Sequence, residues 1–221
     1  MPRFARCLIV LMSVGPCLIL TTPGVSAASA QLKSCNVNFS GGQLNAPQGG
    51  GASVQTYTVN SDCSVSVGPA TTLLRGTPEF QSFVTAQGSM SSANIDPGCN
   101  SALDYEDVIG AILTSTWLDM SYGYNPSRGQ VTSVGPYYYN AGAANDGWYI
   151  ISTKLTPWRG PIPYGTVVSR YNGTFAWVFG SFWHSGTNNN FADGFGQCTG
   201  SPSESGSIVP GGKWVWGVWQ T

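Results

Sequence analysis

The residue best suited to moving protons in this chain is its single histidine, His184, within Phe182-Trp-His-Ser-Gly186. Asp193 lies nine residues further on. A carboxylate that orients an imidazole turns it into a general base for a nearby hydroxyl such as Ser185. His184 and Asp193 are therefore the catalytic candidates. No Gly-x-Ser-x-Gly elbow frames a serine, so a hydrolase reading rests on the histidine. Glycoside cleavage would need two facing carboxylates, and the glutamates are Glu79, Glu106 and Glu204. Glu204, in Ser201-Pro-Ser-Glu-Ser-Gly206, reads as a surface loop and Glu106 as charge at a helix start, so no pair emerges. Asn188 to Gly194 is rich in oxygen ligands but lacks the alternating spacing of a calcium loop, and reads as an Asn-rich turn. One histidine and no Cys-x-x-Cys exclude a zinc knuckle. The sequence assigns no metal and no cofactor.

Aromatic residues are the stronger signal. All eight tryptophans lie at or after Trp117. Sugar rings present C–H faces that stack on indole and phenol rings, so a surplus of such rings in an exported protein points to a glycan or a cell-surface polymer. The ligand-binding candidates are Trp148, Trp158, Trp177, Trp183 and Arg170, the last expected to place its cation near Phe175 and Trp177. The competing use of aromatics is the core, which takes most of them. In 213–220, alternation puts Trp214, Trp216 and Val218 on one face and Val215, Gly217 and Trp219 on the other.

Charge excludes other partners. Charged residues are 9% of the chain and the formal net charge is −1. With no basic stripe to neutralise phosphates, nucleic acid is disfavoured. Arg3 and Arg6 precede an apolar run ending in Thr21–Pro23–Gly24, and Ala28–Ser29–Ala30 has the small-x-small form of a cleavage site. Residues 1–30 thus read as a signal peptide. The run is too short to span a membrane. Residues 31–221 read as a single disulfide-stabilised β domain, secreted or periplasmic. Export leaves Cys35, Cys63, Cys99 and Cys198 to form disulfides, expected as Cys35–Cys63 and Cys99–Cys198 because the first pair brackets one short β-rich segment.

The elements that must position these groups read as mainly antiparallel β, a sandwich or jelly roll with one short helix. Short β-rich runs fall at 54–59, 63–67, 71–75, 79–85, 131–134, 148–155 and 213–220, punctuated by Gly, Pro and Asn. Asn172–Gly173 between two β-branched and aromatic runs predicts a hairpin turn. Residues 102–119, opening on Ser101-Ala-Leu-Asp104 and spaced at three and four, predict the helix; the alternative is a buried strand over 108–113. The expectation is a non-catalytic exported binding or structural module that contacts a glycan or cell surface through aromatics. The alternative is a small hydrolase using His184.

Overall fold

The computed structural model describes residues 33–86, 98–144, 147–178, 180 and 182–220. The expected signal peptide, residues 1–30, lies outside them, as does Phe179. In chain order the strands are β1 (Cys35–Ser40), β2 (Leu44–Asn45), β3 (Gly51–Val59), β4 (Val65–Val67) and β5 (Thr71–Leu74). Helix α1 (Pro78–Ala86) follows, then β6 (Gly98–Glu106), β7 (Ile112–Asn125), β8 (Gln130–Ala143) and β9 (Trp148–Thr156). The chain closes with β10 (Thr166–Trp177), β11 (Trp183–Asp193), β12 (Cys198–Ile208) and β13 (Lys213–Gln220).

Two antiparallel sheets pack face to face. The first runs β1-β12-β11-β10-β9, with β2 also on β12. The second runs β4-β3-β13-β6-β7-β8, with β5 also on β3. The expected β-sandwich is the fold. Disulfides Cys35–Cys63 and Cys99–Cys198 form as expected. Cys99–Cys198 joins β6 to β12, and so clips one sheet to the other.

Three local expectations fail for physical reasons. The helix expected over 102–119 is instead β6 and β7, joined by a turn in which Gly110 adopts φ +86°. Val108 and Ile109, assigned to the buried strand in the alternative, are 72% and 85% exposed in that turn. The helical spacing arose because apolar residues occupy both faces of these strands. Trp117 packs outward beneath α1, while Leu118 and Met120 point into the sandwich. Conversely 79–85, expected as a strand, lies in α1. Thr77 caps it by accepting the Phe80 N–H (3.3 Å), Pro78 occupies the first turn, and Glu79 complements the helix dipole. Phe83 meets Trp219 edge-on at 5.6 Å. Gly217 makes room for it, since a Cβ there would lie 2.1 Å from the Phe83 ring.

The hairpin expected at Asn172–Gly173 is absent from β10, which continues straight through and pairs with both β9 and β11. Paired strands on either side satisfy this segment's backbone without a reversal. Asn172 donates instead to Ser185 Oγ, Thr187 Oγ1 and the Gly186 carbonyl. Arg170 therefore does not face Phe175. Its neighbours are Asn189 and Thr156, and its side chain is exposed while Phe175 is buried.

Candidate functional site

Residues 201–206, read as a loop, are part of β12, and this brings Glu204 to the histidine. Two mirrored triplets, His184-Ser-Gly186 and Glu204-Ser-Gly206, run antiparallel, so His184 lies opposite Gly206 and Glu204 opposite Gly186. Period-two alternation turns all four inward. The glycines supply the volume. A Cβ on Gly206 would fall 2.7 Å from His184 Cα, and one on Gly186 would fall 2.7 Å from Glu204 Oε2. His184 Nδ1 and Glu204 Oε1 lie 3.0 Å apart, and His184 Nε2 lies 2.7 Å from Thr114 Oγ1 on β7. Complete burial raises the Glu204 pKa above the ordinary carboxylate range, and the adjacent imidazole partly offsets it.

Asp193 is not the partner of His184. It ends the same strand nine residues away, roughly 30 Å along an extended chain. There its Oδ1 accepts the Phe195 and Gln197 N–H groups and shapes the β11–β12 turn. Ser185 points to the opposite face of β11, where its hydroxyl meets Asn172 and Thr174. The Thr114–His184–Glu204 connectivity has the order of a nucleophile–base–carboxylate relay, yet none of the three exceeds 2% exposure. Four rings surround the imidazole: Tyr105, Phe175, Trp148 and Trp214, with centroids 5.0–6.4 Å away.

Further along β11 the same inward face carries Asn188 and Asn190, so the run read as an Asn-rich turn is strand. Asn188 Nδ2 donates to the Thr116 carbonyl at 3.0 Å. Asn190 Nδ2 donates to the Cys99 and Leu118 carbonyls at 2.7 and 3.1 Å, and Ser101 Oγ donates to its Oδ1. These buried amides tie the first sheet to β6 and β7 with their donors satisfied. Among the described residues, no cluster of three or more His, Cys, Asp or Glu side chains is arranged to hold a metal ion.

Above the histidine cage, at the end of the sandwich, lies a cavity of about 290 Å³. Its walls include Tyr105, Leu113, Trp148, Trp177 and Phe182, with Asp107 beside them and the 209–212 turn closing one side. Strand pairing explains the convergence. Trp148 opens β9 directly opposite Trp177, which ends β10, and the Trp177 N–H donates to the Phe182 carbonyl at 3.0 Å. Tyr105 and Trp148 touch the cavity on one side and the imidazole on the other. Burial pushes the Tyr105 phenol up to about 12, opposed by a hydrogen bond with the Val209 backbone and reinforced by Glu204 and Asp107.

Of the sequence-derived candidates, the structure brings Trp148 and Trp177 together at this cavity and leaves three elsewhere. Trp183 is 43% exposed, paired with Ala176 and Ser207. Arg170 is seven residues from Trp177, roughly 23 Å along β10. Trp158 is tied by its backbone N–H to Tyr137 Oη and Ser169 Oγ, and its ring rests on Tyr164. Sequence reasoning missed Glu204, Thr114, Tyr105 and Asp107. The mirrored Ser-Gly triplets were the available signal for Glu204. Thr114 and Tyr105 carry none, because cross-sheet contacts are not local in sequence. No family model, curated protein or solved structure matches the chain.

Proposed function

We propose that the chain is a non-catalytic exported binding module whose ligand seats a compact apolar group in the aromatic cavity. The observation that carries this reading is the convergence of Tyr105, Trp148, Trp177 and Phe182 around about 290 Å³ at the loop end of a sandwich. Apolar walls with few polar groups favour a ring or branched alkyl group over a whole sugar, whose hydroxyls would lose water without finding partners. The glycan or cell-surface polymer expected from the sequence would meet the module through such a substituent. Two disulfides and the absence, among the described residues, of a helix able to cross a membrane are consistent with an extracellular setting.

The buried relay favours a second reading, a hydrolase using Thr114, His184 and Glu204. It ranks lower because a substrate would have to displace the aromatic cage to reach Thr114. Ligand-observed NMR with neutral ring and branched-alkyl fragments tests the binding reading. Saturation transfer is expected with the wild type and lost in Trp177→Ala, with folding checked by circular dichroism. Equal transfer in both proteins, or none in either, would remove the reading.

A further inference from the structure

We infer that the cavity accepts a quaternary ammonium group, an inference that rests on the binding reading above and names its ligand class. Four of its lining side chains are aromatic: Tyr105, Trp148, Trp177 and Phe182. Ring faces are the negative ends of aromatic quadrupoles, and several of them around one space attract a cation that sheds water easily. A methylated ammonium is such a cation, because its charge is spread beneath apolar methyl groups that match apolar walls.

Charge at the cavity points the same way. Asp107 lies in the lining, and among the described residues no lysine or arginine does. The Ile109 and Ala111 N–H groups both bond to Asp107 Oδ1, each at 2.9 Å. The turn thus fixes the carboxylate beside the cavity through one oxygen and leaves Oδ2 outside these two bonds. Lys213, the neighbouring cation, is engaged by Glu106 at 2.9 Å. A bound anion would meet a carboxylate and no compensating cation, and a neutral group without a hydrogen-bond donor would gain nothing from Asp107. The volume of about 290 Å³ falls just below the roughly 300–1,000 Å³ typical of ligand pockets, which suits a trimethylammonium head on a short arm. Val108 and Ile109 stand exposed on the same turn as Asp107. A free quaternary amine or the choline headgroup of a lipid would therefore present the same chemistry.

The test titrates the mature protein with choline and with its neutral tert-butyl isostere, dimethylbutanol, following tryptophan fluorescence and heat. Choline is expected to bind about tenfold more tightly than the isostere, a factor equal to one strong cation–π or ionic contribution. Asp107→Asn keeps a side-chain oxygen for the two turn N–H groups, so it should erode the preference for choline and leave isostere affinity unchanged. Trp148→Ala should weaken both ligands. Equal affinity for choline and isostere overturns the ammonium inference and leaves the apolar cavity standing. Failure of both ligands to bind overturns the ammonium inference, and together with absent fragment transfer it removes the binding reading as well. A choline preference unaltered by Asp107→Asn overturns the role given to the carboxylate. Vesicles separate the sources. Sedimentation with phosphatidylcholine but not phosphatidylglycerol, reversed by free choline, identifies the lipid headgroup. Binding of free choline without sedimentation identifies a soluble amine.

Discussion

Asp119 gives the sharpest test of the energetics, because its surroundings oppose its own charge. It lies on the outer face of β7, paired with Asn100 on β6 and Tyr138 on β8. Its Oδ1 is buried and has no hydrogen-bond partner among the described residues. Desolvation raises its pKa from 3.8 to about 6. In the unfolded chain it ionises at its ordinary value, so the contribution of Asp119 to native stability is most favourable below pH 3.8 and falls as pH rises toward 6. Above both values the loss is about 3 kcal/mol at most, a ceiling because the group is only partly buried. Asp119→Asn removes the charge at nearly constant shape. Urea unfolding of both proteins should show the variant more stable by up to about 3 kcal/mol near pH 7.5, with the gap closing near pH 3. A variant no more stable than wild type near neutrality, or an advantage that persists in acid, would refute the reasoning.

Glu204→Ala should cost about 2–5 kcal/mol, because it leaves His184 Nδ1 without its buried hydrogen-bond partner and opens a hole beside Gly186; Glu204→Gln, which keeps an oxygen beside Nδ1, should cost measurably less in the same urea assay. Removing Cys99–Cys198 as a double alanine variant should cost about 4.7 kcal/mol and removing Cys35–Cys63 about 3.6 on the chain-entropy model, because the sequence separations are 99 and 28. Calorimetric melting would then place the first variant below the second.

Features legible in the sequence were those set by neighbours along the chain. Strand β13 was anticipated over its full length because Trp214, Trp216 and Val218 alternate strictly with Val215, Gly217 and Trp219, and each face meets a different apolar layer. Strands β3 and β4 were legible as the β-rich runs over 54–59 and 63–67. The disulfide pairing was legible because Cys35 and Cys63 bracket one short β-rich segment, which leaves Cys99 and Cys198 to each other.

Tertiary structure alone decided the rest. Asn172–Gly173 is a strong local turn signal, but strands on both sides bond its backbone, and those long-range bonds outweigh the local preference. Residues 102–119 mimic a helix because β6 is buried on both faces and Phe80 of α1 packs with Ala102 and Trp117 on the outer one, which blurs the two-residue period. The site shows the same division. The sequence alone marked His184, Trp148 and Trp177 as chemically notable residue types. Only the register of β11 on β12 puts Glu204 rather than Asp193 against the imidazole, and only the pairing of β9 with β10 sets Trp148 against Trp177. Hydrogen-bond register couples residues twenty or more positions apart, and no local pattern carries that information.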